Sequence, residues 1–322
     1  MKAGVLLLVG LFLTGFFIDS DYENYFPKTQ QITEDSNIVA LGRTLFHDPI
    51  LSRDSTIACA SCHSQYNSFA HSDHALSHGI EDRIGNRNAP ALMNLQWQSS
   101  FMWDGASNSL EAQVLAPITN RTEMDNTLSN VIATLRSSER YRTLFKNAFH
   151  DTVISIDHLT KAIAQFERTF ISVQSRYDSM KRKLIEFSDK EKKGYALFLK
   201  HCNACHKEPL FSTYAFASNG ISIDTSLKDF GRFAITFDEK DKYAFKIPTL
   251  RNVQYSAPYM HDGRMKSLKE VINFYSDSIP YSASSILQSP FHFQPDEKVE
   301  LLSFLITLTD KSFLFNKNFS NR

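Results

Sequence analysis

The chain has 322 residues, 42% hydrophobic and 22% charged, with 11 Gly and 10 Pro, a composition that excludes a disordered or fibrous protein. Its 35 Lys and Arg balance 35 Asp and Glu, so no broad positive field exists to hold nucleic acid and none is expected as a partner. Single cores stop growing near about 250–300 residues, so two domains are the starting expectation.

The chain begins MKAGVLLLVGLFLTGFFIDSDYENYF, with one lysine, an apolar run from Gly4 to Ile18 and then acidic and polar residues. That is the shape of a secretory signal, and the run is short for a membrane span, which needs about 20 residues. Residues 1–20 are assigned to a signal peptide or an uncleaved N-terminal anchor, outside the fold. No small-x-small cleavage site is obvious and no cysteine follows the run. Cleavage is left open, and the rest of the chain is expected in the periplasm or otherwise outside the cytoplasmic membrane.

Helical signals follow in order. SNIVALGRTLFHDP reads as a helix that leads through a loop into STIACASCH. In SIDHLTKAIAQFERTF, Leu159, Ile163, Phe166 and Phe170 fall on one face. The basic and polar run from Ser175 to Lys193 places a domain boundary near Ile185, giving residues 21–185 and 186–322. Ser188 and Glu191 form a capping box that opens the helix delivering HCNACH, and PDEKVELLSFLITL predicts a capped terminal helix from about Asp296. Strand alternation is scarce. The expected fold is all-α, a helix, a cysteine motif and later helices occurring twice, as two tandem cytochrome c-like domains.

The four cysteines decide the chemistry. Export alone predicts disulfides, because exported compartments are oxidising. The spacing points elsewhere: all four fall in two copies of one pattern, Cys59-Ala-Ser-Cys62-His63 and Cys202-Asn-Ala-Cys205-His206. C-x-x-C-H is the c-type haem attachment signature, in which two thiols reach the two vinyl groups of one porphyrin while the adjacent histidine turns its imidazole to the iron. Redox disulfides, structural cystines and one four-cysteine zinc site are the competing readings. Two copies in an exported chain with no other cysteine favour two covalent haems.

Between the haem motifs lies GNRNAPALMNLQWQSSFMWDGASNSLEAQVLAPITNRTEM, Gly85 to Met124, and after the second comes APYMHDGR. With both C-x-x-C-H motifs, this order resembles the bacterial di-haem cytochrome c peroxidase family, which includes the MauG-type enzymes, over roughly Ser36 to Leu308. The resemblance implies an N-terminal peroxidatic haem on His63 that meets hydrogen peroxide, and a C-terminal electron-transfer haem on His206. It implies that Trp103 stands between the haems and that Gln113 and Glu123 lie over the peroxide-binding face. A positioned carboxylate can take the proton from one peroxide oxygen and return it to the departing one, so Glu123 is the candidate acid–base group. The implied electron donor is a small soluble cytochrome c or copper protein. A homodimer is left open.

The resemblance also implies a calcium ion held by Asn88 and the carbonyls of Ser256 and Pro258. Such a site has no carboxylate, so it is expected to be weak and water-rich. His71, His74 and His78 lie in the loop after the first haem motif, where some members of the family carry a ligand that plugs the peroxidatic haem. Aligned without gaps from GNRNAP, the ligand position falls on Ile80, and the resting ligand is left open. At the second haem the peroxidases place a methionine fourteen residues after the His-Asp-Gly histidine; counted from His261, that position is Tyr275, and the MauG-type members carry tyrosine there. Residue periodicity alone makes Tyr275 a core residue on a stripe with Leu268, Val271 and Ile272, behind a Ser267/Glu270 capping box. Met260 and Met265 are rival ligands. A MauG-like oxidase acting on a protein partner and a plain di-haem electron carrier are the alternatives to a peroxidase.

Overall fold

The structure, a computed structural model, describes residues 25–27, 35–278, 286–287 and 289–320. The expected export segment lies outside the described residues. No described helix is long and apolar enough to cross a membrane.

The described chain is helical with little sheet. The helices are α1 (Ser36–His47), α2 (Cys59–Cys62), α3 (Leu110–Thr119), α4 (Leu128–Ser137), α5 (Glu139–Phe149), α6 (Ile156–Arg168), α7 (Arg176–Lys181), α8 (Asp189–His201), α9 (Phe233–Thr236), α10 (Leu268–Asn273), α11 (Pro295–Ile306) and α12 (Lys311–Leu314). Among the described residues the only sheet pairs β1 (Phe216–Ala217) with β2 (Phe245–Lys246), antiparallel. Capping explains most helix starts. Ser155 accepts from His158 N ahead of α6, and Ser188 and Glu191 close the expected box at the start of α8.

One helix crossing occurs twice. Gly42 of α1 lies against the Ala162 carbonyl and Phe166 of α6, and Gly194 of α8 lies against the Glu300 carbonyl and Phe304 of α11. A side chain at either glycine would collide with backbone, so both helix pairs approach as closely as they do because the residue is Gly. Four residues after each glycine a phenylalanine, Phe46 or Phe198, is fully buried.

The buried apolar side chains form two main clusters. The first draws on Leu41, Leu45, Leu159, Ile163, Phe166 and Phe170, and also on Phe313, Leu314 and Phe319 from the end of the chain. The second draws on Phe198, Phe211, Ile272 and Phe304, and on Tyr177, which precedes the expected boundary near Ile185. Each aliphatic or aromatic side chain buried this way contributes about 1.5–3 kcal/mol relative to exposure. Near the junction, Arg251 and Asp178 form a fully buried two-pronged ion pair, both bonds 2.9 Å. Asp178 also accepts from Ser175, so one carboxylate starts α7 and ties it to the segment behind the second cysteine motif.

Candidate active site

Both C-x-x-C-H motifs have the local geometry a haem requires. The first is wound into the single turn of α2, and His63 Nδ1 bonds to the Phe69 carbonyl at 2.7 Å. The second follows the C-terminus of α8, with Cys202 as its cap, and His206 Nδ1 bonds to the Pro248 carbonyl at 3.1 Å. Anchoring Nδ1 this way orients Nε2 for a metal. Burial pushes both imidazoles down to about 4, so both are neutral, as ligands must be, at physiological pH.

The competing cysteine readings fit less well. All four thiols are unpaired. Burial raises Cys62 to about 11 and Cys202 to about 12, so neither has the thiolate character of a redox-active cysteine. No three His, Cys, Asp or Glu side chains converge to hold a metal ion among the described residues. Two orphaned buried atoms point the same way. Tyr214 Oη, whose residue follows the main-chain bond from Thr213 to Cys205, and Glu167 Oε2, whose charge acts on Cys59, have no hydrogen-bond partner. Buried polar atoms are rarely left so, and polar groups of a bound porphyrin would supply partners. The residues present fit a covalent haem at each motif.

Around the first motif the structure gathers the loop from His71 to Ile80 and Glu123. Cys62 Sγ lies 3.6 Å from the His78 carbonyl, and Ile80 N donates to the Glu123 carbonyl at 2.8 Å. Gly79 makes that approach possible, since a Cβ there would overlap the Thr122 and Glu123 backbone. Burial raises the Glu123 carboxyl above its ordinary value, and a 2.7 Å bond from Asn120 Nδ2 offsets part of the effect. Glu123 is close enough to Cys62 to raise the thiol in turn. Gln113, half-buried on α3, places its amide 3.7 Å from Met102 Sδ.

The three loop histidines pack on one another. His71 Nε2 lies 3.2 Å from His74 Nδ1, and the His74 and His78 rings stack at 4.2 Å. Ile80, at the position expected for a loop ligand, is fully buried.

Trp103 sits on the seam between the halves. Its indole N–H donates to the Asn88 carbonyl at 2.9 Å, and its own carbonyl accepts from Lys246 N at 2.7 Å. Arg87 holds the same seam, bonding Asp229 at 2.6 and 2.7 Å and Asp104 at 2.7 Å. Asn88 N donates to the His261 carbonyl, which brings Asn88 to the loop carrying Ser256 and Pro258, while its side-chain amide donates to the Ala75 carbonyl at 2.9 Å.

At the second motif, Tyr275 and Met260 meet at one side chain. Asn219 Nδ2 lies 3.2 Å from Tyr275 Oη and 3.6 Å from Met260 Sδ. Burial raises the Tyr275 hydroxyl, the Asn219 bond opposes it, and the charges of Cys202 and Cys205 add to it. The expected helical stripe stops short: α10 ends at Asn273 and a π-helical turn, Phe274–Ser278, carries Tyr275. Such turns re-aim side chains and recur at functional sites. Asn219, Glu167, Tyr214 and Asp229 carry no motif that singles them out in the sequence, whereas Arg87 and Asp104 lie within the GNRNAP and FMWDG stretches.

A helical chain with two haem-attachment motifs and a tryptophan on the seam between them defines a class, the multi-haem c-type cytochromes. Residues 36–184 match the family described as di-haem cytochrome c peroxidase. The chain is 35% identical to the methylamine utilization protein MauG of Methylorubrum extorquens, over 88% of this chain and 80% of that one. It is 32% identical to the cytochrome c551 peroxidase of Nitrosomonas europaea, over 86% and 81%. Among solved structures, a MauG-like protein associated with microbial copper homeostasis superposes with a TM-score of 0.82 at 29% identity, covering 92% of this chain and 97% of that one. The chain belongs to the di-haem cytochrome c peroxidase family.

Proposed function

We propose that this peroxidase is an exported two-domain protein that reduces hydrogen peroxide to water at the first haem position, with electrons entering from a small cytochrome c or cupredoxin at the second. The observation that carries this reading is the pairing of two half-buried, Nδ1-anchored C-x-x-C-H histidines in halves joined at a seam occupied by Trp103. Cys59, Cys62 and His63 would hold one haem, and Cys202, Cys205 and His206 the other. Bound haem supplies a redox-active iron at each position.

The chain's own residues supply the rest. Glu123, partly withdrawn from water, takes the proton of a peroxide oxygen and gives it to the departing one; Asn120 holds its carboxyl in place. Gln113 lines the same face. Trp103 bridges the halves by hydrogen bonds to Asn88 and Lys246 and is the relay. Asn88, with the carbonyls of Ser256 and Pro258, is the calcium site that stiffens this seam.

The test is peroxide-driven oxidation of a reduced small cytochrome by the purified holoprotein. Glu123→Gln is expected to lower turnover about 10²–10⁴-fold, the usual worth of a positioned acid–base group, with the haem content unchanged. Full turnover in Glu123→Gln would remove the carboxylate from the chemistry. One observation favours a second reading, that of a MauG-like oxidase acting on a protein partner: a π-helical turn carries Tyr275, and its hydroxyl shares Asn219 with Met260. Slow donor oxidation with a long-lived oxidised state after peroxide would support it.

A further inference from the structure

Behind the second C-x-x-C-H motif, three tyrosines converge on one carboxylate. Tyr195 Oη donates to Glu208 Oε1 at 2.5 Å, and Tyr25 Oη donates to Glu208 Oε2 at 2.6 Å and lies 3.0 Å from Tyr177 Oη. Lys181 Nζ stands 3.5 Å from Glu208 Oε2 and 3.3 Å from Tyr195 Oη. Glu208 follows His206 by two residues. The Tyr177 ring meets Phe211 edge-on at 4.8 Å, and the Phe211 carbonyl is itself 3.3 Å from His206 Nδ1. Tyr177 is fully buried, whereas Tyr195 and Tyr25 are half-buried. The cluster therefore runs from the second haem-binding histidine toward the surface, and none of it takes part in the peroxide chemistry.

A phenol gives up an electron readily only when its proton can leave with it. Tyr195 has that acceptor preformed, since proton transfer requires heavy atoms within about 2.6–3.2 Å and its bond to Glu208 is at the short end. We propose that Tyr195, backed by Tyr177 and Tyr25, is a one-electron oxidisable site that drains an oxidising equivalent from the second haem position to the surface when no donor protein is docked. In the step the Tyr195 O–H bond breaks. The electron would pass inward by way of Phe211 to the oxidised haem that Cys202, Cys205 and His206 would hold, the proton crosses to Glu208 Oε1, and a neutral phenoxyl radical and a neutral carboxylic acid remain. Hydrogen peroxide is the oxidant, so the inference rests on the peroxide reaction proposed above.

The test is electron paramagnetic resonance of the donor-free holoprotein, frozen soon after one equivalent of peroxide. A narrow organic radical is expected whose hyperfine pattern collapses when the protein is made with ring-deuterated tyrosine. The signal is expected to be lost in Tyr195→Phe, which keeps the ring, and in Glu208→Gln, which keeps a hydrogen-bond acceptor but removes the proton acceptor. Absorption spectra of each variant with peroxide separate the two readings. A haem spectrum that responds to peroxide with no tyrosyl signal, or with one of unchanged intensity in Tyr195→Phe, overturns the radical site alone. A haem spectrum that does not respond overturns the peroxide reaction as well.

Discussion

Two side chains show how burial turns ordinary residues into special ones. Glu167 is fully enclosed, and burial pushes its carboxyl up to about 8, with Arg168 offsetting only part. Its folded-state value lies above the ordinary 4.5, so its contribution to stability is complete below pH 4.5 and is lost as pH rises toward 8, at up to about 1.4 kcal/mol per pH unit. Glu167→Gln is expected to match the wild type in melting temperature at pH 4.5 and exceed it at pH 8; equal curves at both would place the carboxyl in water. Tyr275 is decided by its neighbours, since its phenol shares Asn219 with Met260. Ligation needs the phenolate, which burial opposes and a cation favours. Tyr275→Phe is expected to change the absorption spectrum of the second haem and raise its potential; no movement in either makes the tyrosine a packing residue. The sequence showed Tyr275 by its distance from His261, but Asn219 had no signal, because its role depends on a loop folding back across more than fifty residues.

Helices were legible where a cap and a buried stripe agree. Ser155 and the residues Leu159, Ile163 and Phe166 mark α6, and Phe170, two residues past its end, is buried with them. The same holds for α8, where the expected box closes. The short turns were not legible. The π-helical turn at Phe274–Ser278 interrupts a stripe that reads as one continuous helix, because main-chain bonds from Phe291 and His292 to the carbonyls of Tyr275 and Ser276 hold it in place from a distance. The glycine crossings belong to this scale too. Gly194→Val drives a branched side chain into the Glu300 backbone and Phe304, and overpacking of this kind costs about 1–3 kcal/mol. A lowered urea midpoint with unchanged slope is expected; a wild-type midpoint would mean that α8 and α11 can part without loss.

At the scale of the whole molecule, one crossing occurs twice, α1 with α6 and α8 with α11, and a Cys-x-x-Cys-His segment lies between the two helices of each pair. The end of the chain returns to the first core through Phe313, Leu314 and Phe319, a crossing that no linear reading of composition reveals. Between the halves, Arg87, Asp104 and Asp229 surround the Trp103 seam with hydrogen-bonded charges. Such pairs fix orientation more than they add stability, which suits the relay proposed for Trp103. A plain electron carrier has no use for a withdrawn carboxylate at Glu123.

The most direct measurement is therefore the absorption spectrum of the purified, half-reduced holoprotein before and after hydrogen peroxide, with haem counted per chain. Two covalent c-type haems and prompt reoxidation of the reduced one by peroxide are expected. Fewer than two covalent haems, or two six-coordinate low-spin haems whose spectrum peroxide leaves unchanged, would contradict it.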